Sequence, residues 1–322
     1  MVESKKAAEV VVCGLATVDI VARPVNLDQA VGPGNLVSID QIEATTGGIV
    51  SNSGIALSRL GIRTAAIACV GRDAWADLVR RRYQAEAVDS QALITCDSDS
   101  TSATVVLVDP NGQRSFLFCR GAAPQLSIEH VLRHRHLYAG ASWMLLGYFS
   151  LFPEFDARLP EIVEQVRKAG CKTALDCAGA GGKADSLRPI MPHLDLYVPS
   201  YDEAVCQTGR SEPRAILQQF RDWGARQIVG LKLGAQGALL SPAPDEFIEV
   251  AAVRPPRPVI DTTGAGDAFY AGLIAGLVRG KCLAEAGKIG AATGAACVTG
   301  LGASAGLMAW RETCRLAGVP EE

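Results

Sequence analysis

With 322 residues, 48% of them hydrophobic and 20% charged, the chain has ordinary globular composition and enough length to bury a sizeable core in one large α/β domain or two medium ones. The net charge of −3, with acids and bases interspersed, argues against a broad nucleic-acid surface. Ten scattered cysteines with no CxxC pair argue against a disulfide scaffold, and the longest apolar run, "AFYAGLIAGLV", is well short of the roughly 20 residues that span a bilayer.

The leader "MVESKKAAEVVVCG" passes from charged residues straight into a strand, so no signal peptide is expected and the protein is expected in the cytoplasm. "EVVVCGL" reads as a short buried strand closed by Gly14, and "VDIVARPV" with "LDQAVGPGNLVSID" as irregular strands away from the core. "SNSGIALSRLG" has helical spacing and stops at Gly61; "TAAIACVG" is a strand, and "DAWADLVRRRYQAEAV" an amphipathic helix opened by Asp73. "SATVVLVDPNGQRSFLFCRG" then breaks the rhythm with two β-rich runs around Asp-Pro-Asn-Gly, a hairpin signal. The alternation resumes with "WMLLGYF" as strand, "FDARLPEIVEQVRKAG" as helix, "CKTALDCA" and "LDLYVPS" as strands, "EPRAILQQFRDWGA" as helix and "QIVGLKLG" as strand. This pattern predicts a doubly wound, mostly parallel sheet with helices on both faces. It predicts one domain over 1–322, with a small β lid formed by about 18–45 and 101–121.

The stretch "DTTGAGDAFYAGLIAGL" (261–277) places Asp267 directly behind Gly264, Ala265 and Gly266 at the start of an apolar helix. Small residues there leave backbone N–H groups unshielded at a positive helix terminus, which binds anions. Read alone, the aspartate could equally be a helix cap. Ala268, Ala271, Gly272, Ala275 and Gly276 permit close packing along the helix.

"DTTGAGDAF" resembles the C-terminal signature of the ribokinase-like (PfkB) family of carbohydrate and nucleoside kinases. "GGIVSNSGIALSRLG" with "AIACVGRDAWADLV" resembles its N-terminal signature, "VDPNGQRSF" and "CRGAA" its lid, and "VPSYDEAVCQTG" and "LKLGAQGALL" two nucleotide-side motifs. They occur in family order from about residue 10 to 305. The resemblance implies an ATP-dependent sugar kinase with Asp267 as general base and the N–H groups of Gly264, Ala265 and Gly266 as an anion hole. It implies that Asp19, Gly47, Gly48 and Asn52 bind the sugar, and that Lys232, Gly234 and Gly237 serve ATP. It further implies that Glu203 holds Mg²⁺ through water, and that Asp261 and Thr263 hold a monovalent cation, K⁺, through backbone oxygens. Taken singly, Asp19 is also a strand-end aspartate, Gly47-Gly48 an ordinary turn, and Lys232 a solvated lysine. Four positions depart from the family pattern: Lys232 stands where Thr is more usual, Ser200 where Asn is usual, Ile49 where ribokinases often have Lys, and Ala123 where "GAN" is common.

Other motifs carry less. "HVLRHRH" reads as a solvated basic helix face, "GAGG" at 179–182 lacks the extension of a dinucleotide fingerprint, and no GxxxxGK[ST] is present. The alternatives are a nucleoside kinase, with Tyr148 and Phe149 as platform for the base, and a non-catalytic sugar or nucleotide sensor. The expected partners are a small sugar and ATP, with a homodimer through the β lid and neither nucleic acid nor membrane.

Overall fold

A computed structural model describes residues 7–28, 32–34, 36–111, 113–179 and 181–322. Strand β1 (Val10–Gly14) sends Val10 and Val12 into one apolar cluster and Val11 and Cys13 into another, as a strand covered on both faces must. The strands that follow are β2 (Thr17–Arg23), β3 (Gln41–Gly47), β4 (Thr64–Val70), β5 (Asp89–Thr95), β6 (Ala103–Val108), β7 (Arg114–Cys119), β8 (Trp143–Phe149), β9 (Lys172–Cys177), β10 (Leu196–Tyr197), β11 (Ile228–Lys232), β12 (Ala238–Ser241) and β13 (Ile248–Val250).

The main sheet runs β13-β12-β11-β10-β9-β8-β1-β4-β5 and is parallel from β5 to β11. Helices Gly48–Arg59, Ala265–Val278 and Leu283–Cys297 cover one face; Leu159–Lys168 and Pro213–Asp222 cover the other. The antiparallel edge, β12 and β13, departs from the expected rhythm because residues 233–237 are too few for a crossover connection.

The β appendage expected at 18–45 and 101–121 is a second sheet of order β3-β2-β6-β7. Residues 29–31, 35 and 112 of those spans, like 1–6 of the leader and Ala180 of "GAGG", lie outside the described residues. The strand expected within 27–40 is not one among the described residues, and pairing begins at Gln41; Pro33 has no N–H to give a ladder.

Chain order reverses beside β1, which pairs with β4 on one side and β8 on the other. In open α/β sheets, ligands bind outside the carboxyl ends of the strands at such a switch point. Helix Ala265–Val278 reaches that point because its small residues let it lie close to its neighbour: a Cβ on Gly272 would sit 2.9 Å from Gly290 Cα.

Candidate active site

Gly264 opens helix Ala265–Val278 in a left-handed conformation (φ 73°), and no side chain caps the helix start. A Cβ here would lie 2.3 Å from Ala303 Cβ, so glycine is required by space as well as by φ. Asp267, buried with 7% exposure, does not cap its own helix. Its Oδ2 accepts from Asn52 Nδ2 at 2.8 Å and from the Tyr148 hydroxyl at 2.7 Å, while Ser53 Oγ donates to its carbonyl at 3.1 Å. Among the described residues no hydrogen bond falls on Oδ1. Burial raises the Asp267 pKa above the ordinary carboxylate value; the bonds from Asn52 and Tyr148 and the charge of Lys232 pull it down, less strongly.

Lys232 ends β11 with its ammonium 2.9 Å from Asp176 Oδ1, the two side chains only 12% and 3% exposed. The same ammonium lies over the Tyr270 ring, and a Cβ on Gly266 would be 3.3 Å from it. It therefore faces the first turn of the helix instead of solvent. Burial works against its charge, but Asp176, Glu203 and Asp267 more than offset this, and its pKa is raised. Ser200 pairs with Lys232 in an isolated bridge and caps helix Tyr201–Thr208 in a reciprocal box: its N–H donates to Glu203 Oε2 at 2.8 Å, and its Oγ accepts from Glu203 N at 3.3 Å. Serine in place of asparagine thus serves as a helix cap. Of the two turn glycines after β11, Gly234 leaves open space, whereas a Cβ on Gly237 would strike Val250 O at 2.0 Å, so glycine at 237 is demanded by the hairpin.

The Asp19 carboxylate occupies the space where Gly47 lacks a side chain; a Cβ there would be 2.1 Å from Asp19 Oδ2. Burial pushes the Asp19 carboxyl up to about 6, opposed by a hydrogen bond from Thr104 and reinforced by Asp267 and Asp261. Gly48 (φ 77°) starts the helix that carries Asn52. Ile49 and Ala123 are both buried in the apolar clusters, so neither offers a polar group. Asp19 lies in the wall of a cleft of about 630 Å³ that also takes in Arg114 of the small sheet and Asp261, Thr262 and Thr263. Asp261 and Thr263 are bonded to each other, Thr263 Oγ1 donating to Asp261 Oδ1 at 2.7 Å.

The structure thus joins Asn52 to Asp267, sets Lys232 beside Gly266, and lines one cleft with Asp19, Asp261 and Thr263, while Gly237 serves the hairpin. Sequence reasoning missed three: Tyr148, expected as a platform for a base, spends its hydroxyl on Asp267; Asp176 holds Lys232; Arg114 reaches Asp261. For Asp176 a signal was present, a lone aspartate at the carboxyl end of a predicted parallel strand. On the basic face, Arg133, Arg135 and His136 are exposed, while half-buried His130 accepts from Ser127 N at its own helix start.

The model of the pfkB family of carbohydrate kinases matches residues 7–310. The ribokinase of Haemophilus influenzae is 28% identical over 288 residues, covering 87% of this chain and 90% of that protein. The aminoimidazole riboside kinase of Salmonella typhimurium is 31% identical over 278 residues, covering 81% of this chain and 84% of that one. Among solved structures, Arabidopsis thaliana ribokinase complexed with ribose and ATP superposes with a TM-score of 0.83 at 24% identity, over 98% of this chain and 100% of that one.

Proposed function

The chain belongs to the pfkB family of carbohydrate kinases, and from that premise we propose that it transfers the γ-phosphoryl group of ATP to a hydroxyl of a small carbohydrate. The observation that carries this reading is Asp267: a buried carboxylate, oriented by Asn52 and Tyr148 through Oδ2, whose Oδ1 takes no hydrogen bond among the described residues beside an uncapped helix terminus. In such a place Asp267 is the general base for the sugar hydroxyl. The N–H groups of Gly264, Ala265 and Gly266 receive the charge of the transferring group. Proton transfer comes late in a loose transition state, so a carboxylate suffices despite its modest basicity.

Lys232, aligned by Asp176, places a fixed ammonium against the phosphates, and Gly234 leaves room for them. Mg²⁺ fits this site: Glu203 spends Oε2 on Ser200 N, keeps Oε1 without a hydrogen bond among the described residues, and is half-buried. A hard cation that retains its waters needs only one such carboxylate beside the phosphates. When bound, it would neutralise phosphate charge. K⁺ would rest on the backbone oxygens of Asp261 and Thr263, because the Asp261 carboxylate is already filled by Arg114, Thr263 and Gly302; no step is assigned to it.

Asp19, in the wall of the cleft, binds the sugar together with Gly47, Gly48 and Asn52, with the small sheet as lid and the whole of 1–322 acting as one kinase domain. Asp19→Ala is expected to raise the sugar KM about 10–100-fold, the worth of a hydrogen bond to a charged group, with the ATP KM unchanged. Gly47→Ala should reproduce that effect, since its Cβ takes the position of the Asp19 carboxylate. Steady-state kinetics with sugar and ATP varied separately checks both, and an unchanged sugar KM in Asp19→Ala removes it from the pocket.

A sugar is favoured over a nucleoside because the Tyr148 hydroxyl is committed to Asp267 and its ring is not free to tilt under a base. A non-catalytic sensor is disfavoured because the base and the glycines before it are all retained. The test is a coupled ADP-release screen over pentoses, hexoses, sugar acids and nucleosides, and no acceleration by any acceptor would end the kinase reading.

Ile42, Phe116 and Leu117 are exposed on the small sheet, which supports a homodimer formed through it. Sedimentation velocity should find a dimer that Leu117→Asp converts to monomer; a monomeric wild type refutes it. No helix among the described residues is long and apolar enough to cross a membrane, and the ten cysteines are all free, which supports the reducing cytoplasm.

A further inference from the structure

The Asp261 carboxylate lies in the loop that leads directly into Gly264, where a bare negative charge would oppose an arriving phosphoryl group. Four groups converge on it. Thr263 N and Oγ1 donate to Oδ1 at 2.9 and 2.7 Å, Gly302 N donates to Oδ2 at 2.8 Å, and Arg114 Nη1 donates to Oδ1 at 2.5 Å. Of these only Arg114 is charged. Its Nη2 also donates to Thr262 Oγ1 at 2.6 Å, and Nη1 reaches the Thr263 hydroxyl.

Arg114 comes from the other sheet. It opens β7 just after a tight turn in which Asp109 Oδ1 accepts from Asn111 N at 2.8 Å and Gln113 N at 2.7 Å, and Asp109 N donates to Gln113 O at 2.9 Å. From β7 the guanidinium reaches Asp261 across the cleft that both residues line, so the contact ties the small sheet to the loop before Gly264. The pair is well shielded, with side chains 22% and 11% exposed.

We propose that Arg114 is a positioning residue that latches the small sheet over the cleft and, through the same contact, supplies the counter-charge of Asp261 beside the phosphoryl-transfer site. The latch stands on geometry alone; its catalytic half rests on the kinase reading above. Opening the sheet withdraws the cation and leaves Asp261 with neutral donors. Phosphoryl transfer is thereby favoured only when the cleft is closed over sugar, which suppresses transfer to water.

The experiment compares Arg114→Gln, Arg114→Lys, Asp261→Asn and the double variant Arg114→Gln/Asp261→Asn. In Arg114→Gln, kcat for sugar phosphorylation should fall about 10–100-fold, an effect discounted for partial exposure, and sugar-independent ATP hydrolysis should rise relative to it. Arg114→Lys should recover part of the loss, since it restores charge without the planar fork. The double variant should recover most of it, since no orphan charge remains. Hydrogen exchange of residues 103–119, measured without ligands, should quicken in Arg114→Gln while the main sheet stays protected. Wild-type kcat and exchange in Arg114→Gln, or a double variant no better than Arg114→Gln, would overturn the proposal. If the wild type phosphorylates no acceptor, the kinase reading fails separately, and the exchange data alone decide the latch: unchanged exchange refutes it and faster exchange upholds it.

Discussion

Asp267→Asn is expected to lose about 10²–10⁴-fold in kcat, the usual contribution of a general base, with sugar and ATP affinities within a few-fold of wild type. Asparagine keeps the shape of the side chain and an oxygen able to accept from Asn52 or Tyr148, so the site is preserved while the proton acceptor is removed. Turnover at the wild-type rate would show that the assignment is wrong. Burial raises the Asp267 pKa, and an ionised carboxylate is required, so activity falls as pH drops through that raised value. The acid limb of kcat therefore lies above the ordinary carboxylate range near 4. Tyr148→Phe removes a hydrogen bond that lowers the pKa and should move the limb to still higher pH; a limb that stays in place or moves down contradicts the network.

The same shift has a consequence for stability. A carboxyl group whose pKa is higher in the folded than in the unfolded state binds its proton more tightly when folded, so stability falls as pH rises between the two values. Asp267→Asn carries no such charge and should melt at least as high as wild type at neutral pH. Thermal melting thus separates lost chemistry from lost fold.

Gly264→Ala should reduce kcat about 10²–10³-fold, the effect of disturbing an oxyanion-type hole. Two causes act together. The residue must hold φ 73°, and its new Cβ would fall 2.3 Å from Ala303 Cβ, so the helix start has to shift and its N–H groups with it. Gly280→Ala is the control, at the other end of the same helix with φ 77° and open space around it. It pays the left-handed strain without the clash and without touching the site. Equal losses of activity in the two variants would show that Gly264 matters only for helix stability.

Much of the candidate site was legible because its chemistry is local. A glycine-rich turn before an apolar helix leaves backbone N–H groups unshielded wherever it folds, and Asp267 stood out from its place in "DTTGAGDAF". The hairpin around Asp-Pro-Asn-Gly likewise announced the second sheet. What escaped were partners distant in the chain. Tyr148 and Asp267 are 119 residues apart, Lys232 and Asp176 56 apart, and Arg114 and Asp261 147 apart. No periodicity or spacing relates such pairs. Lys232 shows the difference: as a residue at a strand end it reads equally well as solvated, and only strand β9, two places along the sheet from β11, turns it inward onto Asp176.

The sequence by itself determined the alternation of strand and helix, the β insertion and the flexible, unshielded backbone before Asp267, because each follows from side-chain size, hydrophobic period and turn chemistry within a few residues. Tertiary structure alone decided which oxygen of Asp267 accepts from Asn52 and Tyr148, where the Lys232 ammonium points and what neutralises Asp261. Those depend on strand order and on sheets brought together from opposite ends of the chain, and charge acts through space, indifferent to separation along it.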